Sequence, residues 1–193
     1  MQLGLAYLQQ GDMQRAKFKL LLALQQAPKS AATLDAMAYF LETTGQISRA
    51  EYYYQQAIQS APDNGSALNN YGTFLCRIGR YSAGEQQFLA AVKDPDYLNT
   101  AEAYENAGLC VLVASNTSKA SNYFRLALQQ DPRRSSAWLE LALLNYDQNN
   151  YQQARQYLDH YLQLVTPDDQ ALLLARHLGI TLTNNNLVSQ TSN

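Results

Sequence analysis

Five prolines recur along the 193-residue chain at nearly equal intervals. They stand at positions 28, 62, 95, 132 and 167, so successive prolines are 34, 33, 37 and 35 residues apart. Each follows a segment whose apolar residues have helical spacing, and proline stops a helix because it lacks a backbone N–H and clashes with the preceding turn. A fixed period of this length is typical of a repeat protein, in which each unit buries its apolar face against the next.

A turn residue and two small residues recur with the same period. Glycine and asparagine tolerate the positive φ that commonly ends a helix, so they mark turns between helices. The turn positions are Gly11, Gly45, Gly79, Ser115 and Asn149. The small residues are Gly4, Ala38, Gly72, Gly108 and Ala142 before the turns, and Ala16, Ala50, Gly84, Ala120 and Ala154 after them. Each unit is therefore predicted to be a pair of antiparallel helices in close contact.

This order of residues resembles the tetratricopeptide repeat. It predicts an all-α fold, a right-handed superhelical solenoid of antiparallel helical hairpins with a C-terminal capping helix. We predict a single domain over residues 1–182, with repeats at about 1–30, 31–64, 65–98, 99–134 and 135–168 and the capping helix at 168–182. The polar segment 183–193 is expected to be a disordered tail.

Three aspartates stand where helices are expected to begin. Asp12, Asp63 and Asp131 each precede or open a helical segment. A carboxylate at such a position accepts hydrogen bonds from the free backbone N–H groups of the first turn. We therefore predict that these residues are helix caps.

The composition disfavours several classes of function. A formal net charge of -2, without a run of lysine or arginine, lacks the positive surface that nucleic-acid binding requires. The glycines form no phosphate-binding loop, His160 and His177 lack grouped metal ligands, and no serine lies in a nucleophile elbow. We therefore expect no enzymatic activity, no cofactor and no metal. The apolar runs are also too short to cross a bilayer.

First helices of stacked hairpins line a concave groove that suits an extended or helical peptide. The repeat register predicts which residues face this groove. The predicted partner-binding residues are Tyr39, Glu42, Asn69, Thr73, Arg77, Glu105, Leu109 and Val113. The further groove positions are Asp35, Leu139, Leu143 and Tyr146. Alternatively, three asparagines have a structural role and bond the ends of adjacent helices: Asn69, Asn70 and Asn106.

The two cysteines, Cys76 and Cys110, lie on the first helices of consecutive repeats. Their repeat positions differ by two residues, a rotation of about 200° and a rise of about 3 Å on a helix. Side chains so placed on adjacent parallel helices face each other, so a disulfide is feasible. Such a bond would indicate an oxidising compartment such as the periplasm. Two buried free thiols are the alternative.

Two central stretches of the sequence are more specific than the repeat pattern. They are the residues 69–81, NNYGTFLCRIGRY, and 105–110, ENAGLC, and between them stand the inserted Pro95, Asp96 and Tyr97. Together with the opening residues 3–7, LGLAY, they resemble the PilF/PilW family of type IV pilus biogenesis proteins. The resemblance covers the chain to about Leu182.

The resemblance implies a pilotin, an outer-membrane lipoprotein that faces the periplasm. Such a protein binds the outer-membrane secretin, or another pilus assembly protein, and promotes localisation and multimer assembly of the secretin. No lipoprotein signal is visible near Met1, so we expect the anchor to lie upstream and the visible chain to be a soluble monomer. The alternative is a generic tetratricopeptide scaffold, either another periplasmic lipoprotein or a cytosolic assembly factor.

Overall fold

The computed structural model describes residues 1–181, and this part of the chain is helical apart from turns and short loops. Its helices form five consecutive hairpins and one further helix. They are α1 (Gln2–Gln9), α2 (Met13–Gln26), α3 (Ala31–Thr43), α4 (Ile47–Ser60), α5 (Gly65–Arg77), α6 (Tyr81–Ala91), α7 (Thr100–Val113), α8 (Thr117–Gln130), α9 (Ser135–Asp147), α10 (Tyr151–Leu164) and α11 (Asp169–His177). Each predicted repeat contains one pair of helices, and α11 lies within the predicted capping segment. The predicted tail, 183–193, lies outside the described residues.

The turns within the hairpins have the backbone conformation that the sequence predicts. Gly11, Gly45 and Gly79 have φ values of 77°, 77° and 81°, and Ser115 and Asn149 both have 61°. A positive φ lets the chain leave one helix and reverse direction within the three residues that separate the two helices of a hairpin. Ser115, the weakest member of the sequence pattern, adopts the same conformation, so the prediction is confirmed at all five positions.

The small residues allow the two helices of a hairpin to approach closely. A Cβ atom added to Gly4 would lie 2.7 Å from Leu20, and one added to Gly72 would lie 2.8 Å from the Phe88 ring. Leu20 and Phe88 are each 1% exposed. In these two hairpins the bulky residue of the second helix therefore fills the space that the glycine of the first helix leaves open.

The contacts between Cα atoms divide the chain into two compact units. The first unit is Met1–Ala103, and the second begins at Tyr104, so the boundary falls inside α7. The core of the first unit includes Phe40, Tyr54 and Phe74. The core of the second includes Leu158 and Leu174, where α11 packs against the hairpin of α9 and α10. A single domain over 1–182 stays a prediction.

The aspartate caps are partly as predicted. The Asp12 carboxylate accepts a hydrogen bond from the Arg15 N–H at 3.0 Å, which confirms this cap. At the start of α5, Asn64 is the cap instead of Asp63, because the cap must immediately precede the first helical residue. Asp131 ends α8 and accepts from the Arg133 N–H at 3.0 Å, so it stabilises a loop rather than a helix start.

The inserted segment after α6 packs onto the beginning of α5 in the first unit. Tyr97 is 7% exposed and lies against Gly65, where an added Cβ would be 2.5 Å from the tyrosine. The Asp94 carboxylate accepts a hydrogen bond from the Gly65 N–H at 2.8 Å. The insertion thus covers this helix N-terminus and gives the Gly65 N–H a partner, while Asn64 caps the Ala67 N–H.

Candidate partner-binding groove

The first helices of consecutive repeats lie side by side in the first unit. Helix α3 contacts both α1 and α5, as the predicted groove requires. A cavity of about 250 Å³ opens among these helices. We call it the α3 cavity, and it is lined by Leu5, Gln9, Asp35, Ala36, Tyr39, Tyr54, Asn70, Thr73 and Arg77.

Three predicted groove residues, Tyr39, Thr73 and Arg77, line the α3 cavity together. Tyr39 is 41% exposed and presents an aromatic ring to solvent. The Thr73 hydroxyl donates to the Asn69 carbonyl at 3.0 Å, a bond within its own helix. The cavity therefore combines an exposed aromatic surface with polar groups from α5.

Glu42, a fourth predicted residue, links α3 to α4 and α5 through two residues that line the cavity. One carboxylate oxygen accepts a hydrogen bond from Arg77 at 2.9 Å, and the other accepts from the Tyr54 hydroxyl at 2.8 Å. Burial of Tyr54 and the nearby Glu42 charge raise the pKa of the tyrosine well above its ordinary value. The hydroxyl therefore stays a donor, and both oxygens of Glu42 have partners.

Asp35, seven residues before Glu42 on α3, is bonded much less completely. Its Oδ2 accepts a hydrogen bond from the Asn70 side chain at 2.7 Å. Its Oδ1 is buried and has no hydrogen-bond partner among residues 1–181. Burial, opposed by the Asn70 bond and reinforced by the Glu42 charge, raises the pKa of Asp35 to about 7. The repeat register placed Asp35 in the groove but did not predict its unpaired oxygen.

Two predicted groove residues, Asn69 and Glu105, are buried. They are 4% and 5% exposed, respectively. In the second unit, Glu105 accepts hydrogen bonds from the Arg134 guanidinium and the Ser136 hydroxyl. Asn70, rather than Asn69, lines the α3 cavity. Thus Asn69 and Glu105 lie inside their units, and a partner would meet other side chains first.

Leu109 and Val113 are the remaining predicted groove residues. Both lie on α7 in the second unit and are 38% and 68% exposed. Exposed apolar side chains one turn apart form a small hydrophobic surface on the helix. The structure therefore leaves both side chains accessible to a partner, although their role stays a prediction.

The groove prediction did not include an exposed apolar surface on α2. Phe18, Leu21 and Leu22 are 64%, 47% and 39% exposed. The sequence signal is the apolar run around core residue Leu20, which is too wide for a single helical face to bury. We call these three residues the α2 surface.

Neither cysteine is a free thiol in the structure, because Cys76 and Cys110 are each disulfide-bonded. The predicted bond between Cys76 and Cys110 agrees with that state but stays a prediction.

The two histidines pack on aromatic rings: His160 stacks on Trp138 at 4.4 Å, and His177 stacks on Tyr146 at 5.8 Å between ring centroids.

Comparison with known proteins identifies the family. Models of the tetratricopeptide repeat match residues 1–30, 31–64, 53–86 and 108–169. The type IV pilus assembly protein PilF of Pseudomonas aeruginosa is 36% identical over 178 residues, which cover 92% of the chain and 71% of PilF. The chain belongs to the PilF/PilW family of type IV pilus biogenesis proteins.

Two solved structures show that the fold of the PilF/PilW family extends over the chain. The structure of Pseudomonas aeruginosa PilF has a TM-score of 0.84, with 36% identity over 92% of this chain and 80% of that one. PilW, described as a widely conserved type IV pilus biogenesis factor, has a TM-score of 0.81, with 26% identity over 98% and 84% of the two chains. The predicted tetratricopeptide fold is thereby confirmed. Through residue 181, the chain has no helix that is both long and apolar enough to span a membrane.

Proposed function

We propose that this protein is a non-enzymatic pilotin, an adaptor that binds the outer-membrane secretin of the type IV pilus and promotes its localisation and multimer assembly. The observation that carries the proposal is the match to PilF over 92% of the chain. Stacked helical hairpins suit this role because they present a large surface without requiring a reaction centre. The protein would lie at the periplasmic face of the outer membrane, held there by a lipid anchor.

The state of the cysteines supports a periplasmic location. Both are disulfide-bonded, and disulfides persist in oxidising compartments such as the periplasm. A bond between Cys76 and Cys110 would predict one disulfide-linked peptide pair in a non-reducing digest of the envelope protein. Two free thiols in that digest would contradict both the bond and the argument for the compartment.

The α3 cavity is the part of the groove that we propose holds the partner segment. Tyr39 and Arg77 are its accessible predicted residues, with Arg77 57% exposed at the side chain. Aromatic and arginine side chains contribute most of the energy at many protein interfaces. Asn69 and Glu105 would act from inside the units, where they hold the helices that carry the contact residues.

The test is a Tyr39→Ala, Arg77→Glu variant expressed in the native host from which the wild-type gene is deleted. We expect loss of most heat-resistant secretin multimers on immunoblots and of sheared surface pili, at unchanged protein level. The matched control is Arg49→Glu, Tyr52→Ala, which changes the same residue types on α4, where both side chains are exposed. Normal multimers and pili in the groove variant would contradict the α3 cavity as the partner site.

Because its apolar side chains are exposed, the α2 surface is a second candidate contact site for the partner. A Phe18→Ser, Leu22→Ser variant changes two of its exposed side chains without touching core residue Leu20. If this variant loses secretin multimers while the groove variant keeps them, the pilotin function stands and the α2 surface holds the secretin. If neither variant affects multimers or pili, the proposed binding of the secretin through the first unit is wrong.

A further inference from the structure

The α3 cavity contains a carboxylate without a matching cation. Asp35 lines the cavity, its Oδ1 is buried, and no residue of the described range donates a hydrogen bond to that oxygen. Buried polar groups are nearly always hydrogen-bonded, so an unpaired carboxylate oxygen in a cavity calls for an explanation. Burial of this oxygen away from water costs free energy, and a ligand that donates a hydrogen bond to it would offset that cost.

The charged groups around the cavity do not supply this donor. Arg77 of α5 is bonded to Glu42, and Tyr54 of α4 also donates to Glu42. Helix α1 contributes only the uncharged Leu5 and Gln9 to the lining. Within residues 1–181 the Asn70 amide donates the hydrogen bond that Asp35 accepts, and it reaches Oδ2 rather than Oδ1. The Asp35 carboxylate therefore has no cationic partner in the cavity lining, and its Oδ1 has no donor in the described part of the chain.

We propose that the α3 cavity receives a lysine or arginine side chain from the partner segment and pairs its cationic head with the Asp35 carboxylate. The proposal rests on the proposed function, since it names the chemistry of the segment that the groove holds. The incoming cation competes with Asn70 for Oδ2, and a rotation of the carboxylate exchanges its two oxygens. A charge-assisted hydrogen bond of this kind is about twice as strong as a neutral one.

The remaining walls suit the rest of such a side chain. Leu5 and Ala36 provide apolar surface for an aliphatic stem, and lysine and arginine bury their stems in this way. Tyr39 is 41% exposed at the cavity, so its ring can face the cation. The volume of about 250 Å³ is below the roughly 300–1,000 Å³ of sites for drug-sized molecules, as expected for one side chain.

The pairing predicts that binding depends on pH. Burial raises the pKa of Asp35 to about 7, so the empty cavity holds a neutral acid at pH 5 and a carboxylate at pH 8. Glu42 on α3 and Arg77 on α5 are bonded to each other, so Asp35 is the carboxylate of the cavity without a cationic partner among the described residues. A cationic side chain should therefore bind more tightly at pH 8 than at pH 5.

The experiment uses purified protein and blocked tripeptides, acetyl-Ala-X-Ala-amide, in which X is lysine, arginine or norleucine. Amide resonances of Asp35, Tyr39 and Asn70 are followed by NMR titration at both pH values. We expect the lysine and arginine peptides to bind at least about tenfold more tightly than the norleucine peptide at pH 8. That preference should fall at pH 5 as Asp35 takes up a proton.

Two variants and a control assign the preference to Asp35. Asp35→Asn should bind all three peptides equally, whereas Asp63→Asn, which changes an exposed aspartate, should keep the wild-type preference. Asn70→Ala removes the competing donor from an exposed position, so the basic peptides should bind several-fold more tightly to it. Thermal melts establish that each variant is folded.

Equal binding of lysine and norleucine peptides to the wild type, or no binding up to about 10 mM, would overturn the inference. A preference that survives Asp35→Asn would overturn it too. Secretin multimers in cells that carry Asp35→Asn provide a separate readout. If the peptide preference depends on Asp35 but multimers are unchanged, the cation site stands and the proposed use of the α3 cavity by the secretin fails.

Discussion

Asp35 in the first unit and Glu105 in the second are acidic residues at the same repeat position. Each lies three residues before the small residue of its first helix, Ala38 and Gly108. Glu105 has two donors, the Arg134 guanidinium and the Ser136 hydroxyl. Asp35 has only the Asn70 amide, and its second oxygen is buried without a partner in the described chain. The same repeat position therefore holds a fully paired carboxylate in one unit and an incompletely paired one in the other.

The difference between the two carboxylates indicates that Glu105 contributes to stability and Asp35 to binding. A buried carboxylate that is paired and hydrogen-bonded is compatible with a rigid core, whereas an unpaired one lowers the free energy of unfolding. Proteins keep such costly groups where a ligand supplies what is missing. The comparison predicts that loss of a hydrogen-bond partner at Glu105 lowers the free energy of unfolding. At Asp35, loss of the charge should raise the free energy of unfolding and weaken binding.

The largest effect is expected when Glu105 loses its cation. Arg134→Ala should lower the free energy of unfolding by about 2–3 kcal/mol, because it leaves a buried charge with one hydroxyl donor. Urea denaturation measures the change. Arg133→Ala is the matched control, since the Arg133 side chain is 84% exposed and should not affect stability. Equal results for the two variants would show that Glu105 does not depend on its partner.

A smaller effect of opposite sign is expected at Asp35. Its pKa is raised from 3.8 to about 7 in the folded protein, so between these pH values the folded chain binds a proton that the unfolded chain has released. Stability from this group is therefore lost as pH rises. This rise in pKa corresponds to at most about 4 kcal/mol. Because Asp35 is only partly buried, we expect Asp35→Asn to raise the free energy of unfolding by roughly 2 kcal/mol at pH 8 and to leave it nearly unchanged at pH 4.

Urea denaturation of the wild type and Asp35→Asn across this pH range measures the difference between them, which removes the contribution of other titrating groups. Asp63→Asn provides the reference for an exposed aspartate. A difference between Asp35→Asn and the wild type that does not change with pH would mean that Asp35 is ionised and satisfied in the folded protein, contrary to the comparison.

The smallest effect is expected at the ion pair near Asp35. Arg77→Ala should lower the free energy of unfolding by at most about 0.5 kcal/mol, since the Arg77 side chain is 57% exposed and water screens the pair. Glu42 also keeps the Tyr54 hydroxyl as a donor. Unfolding at low and high salt measures this pair. A loss as large as that of Arg134→Ala would show that exposure does not distinguish the two pairs.

The repeat pattern predicted most of the fold because it depends on local chemistry and on a period. The positive φ at Ser115 could be predicted only because glycine or asparagine occupies the equivalent place in neighbouring repeats. The position of Asp63 was predicted less well, since the choice between adjacent residues as a cap depends on where the helix starts. Period and turn chemistry define elements better than their ends.

The predicted groove residues had a different outcome. The repeat register predicts which way a side chain points, but it does not predict how deeply that side chain is buried. It placed Tyr39, Thr73 and Arg77 around one cavity. It also selected Asn69 and Glu105, which are buried. A register position points toward the groove in every repeat, while the size of neighbouring side chains decides how much of each residue reaches solvent.

By itself, the sequence determined the helical hairpins, their turns and the resemblance to the PilF/PilW family, since all of these depend on residues at fixed spacing. The tertiary structure alone decided which of two equivalent carboxylates is paired. Arg134 is 29 residues from Glu105, and Asn70 is 35 residues from Asp35, so their partners come from neighbouring helices. Whether a buried charge finds a donor depends on distances across helices, which a repeat pattern does not contain.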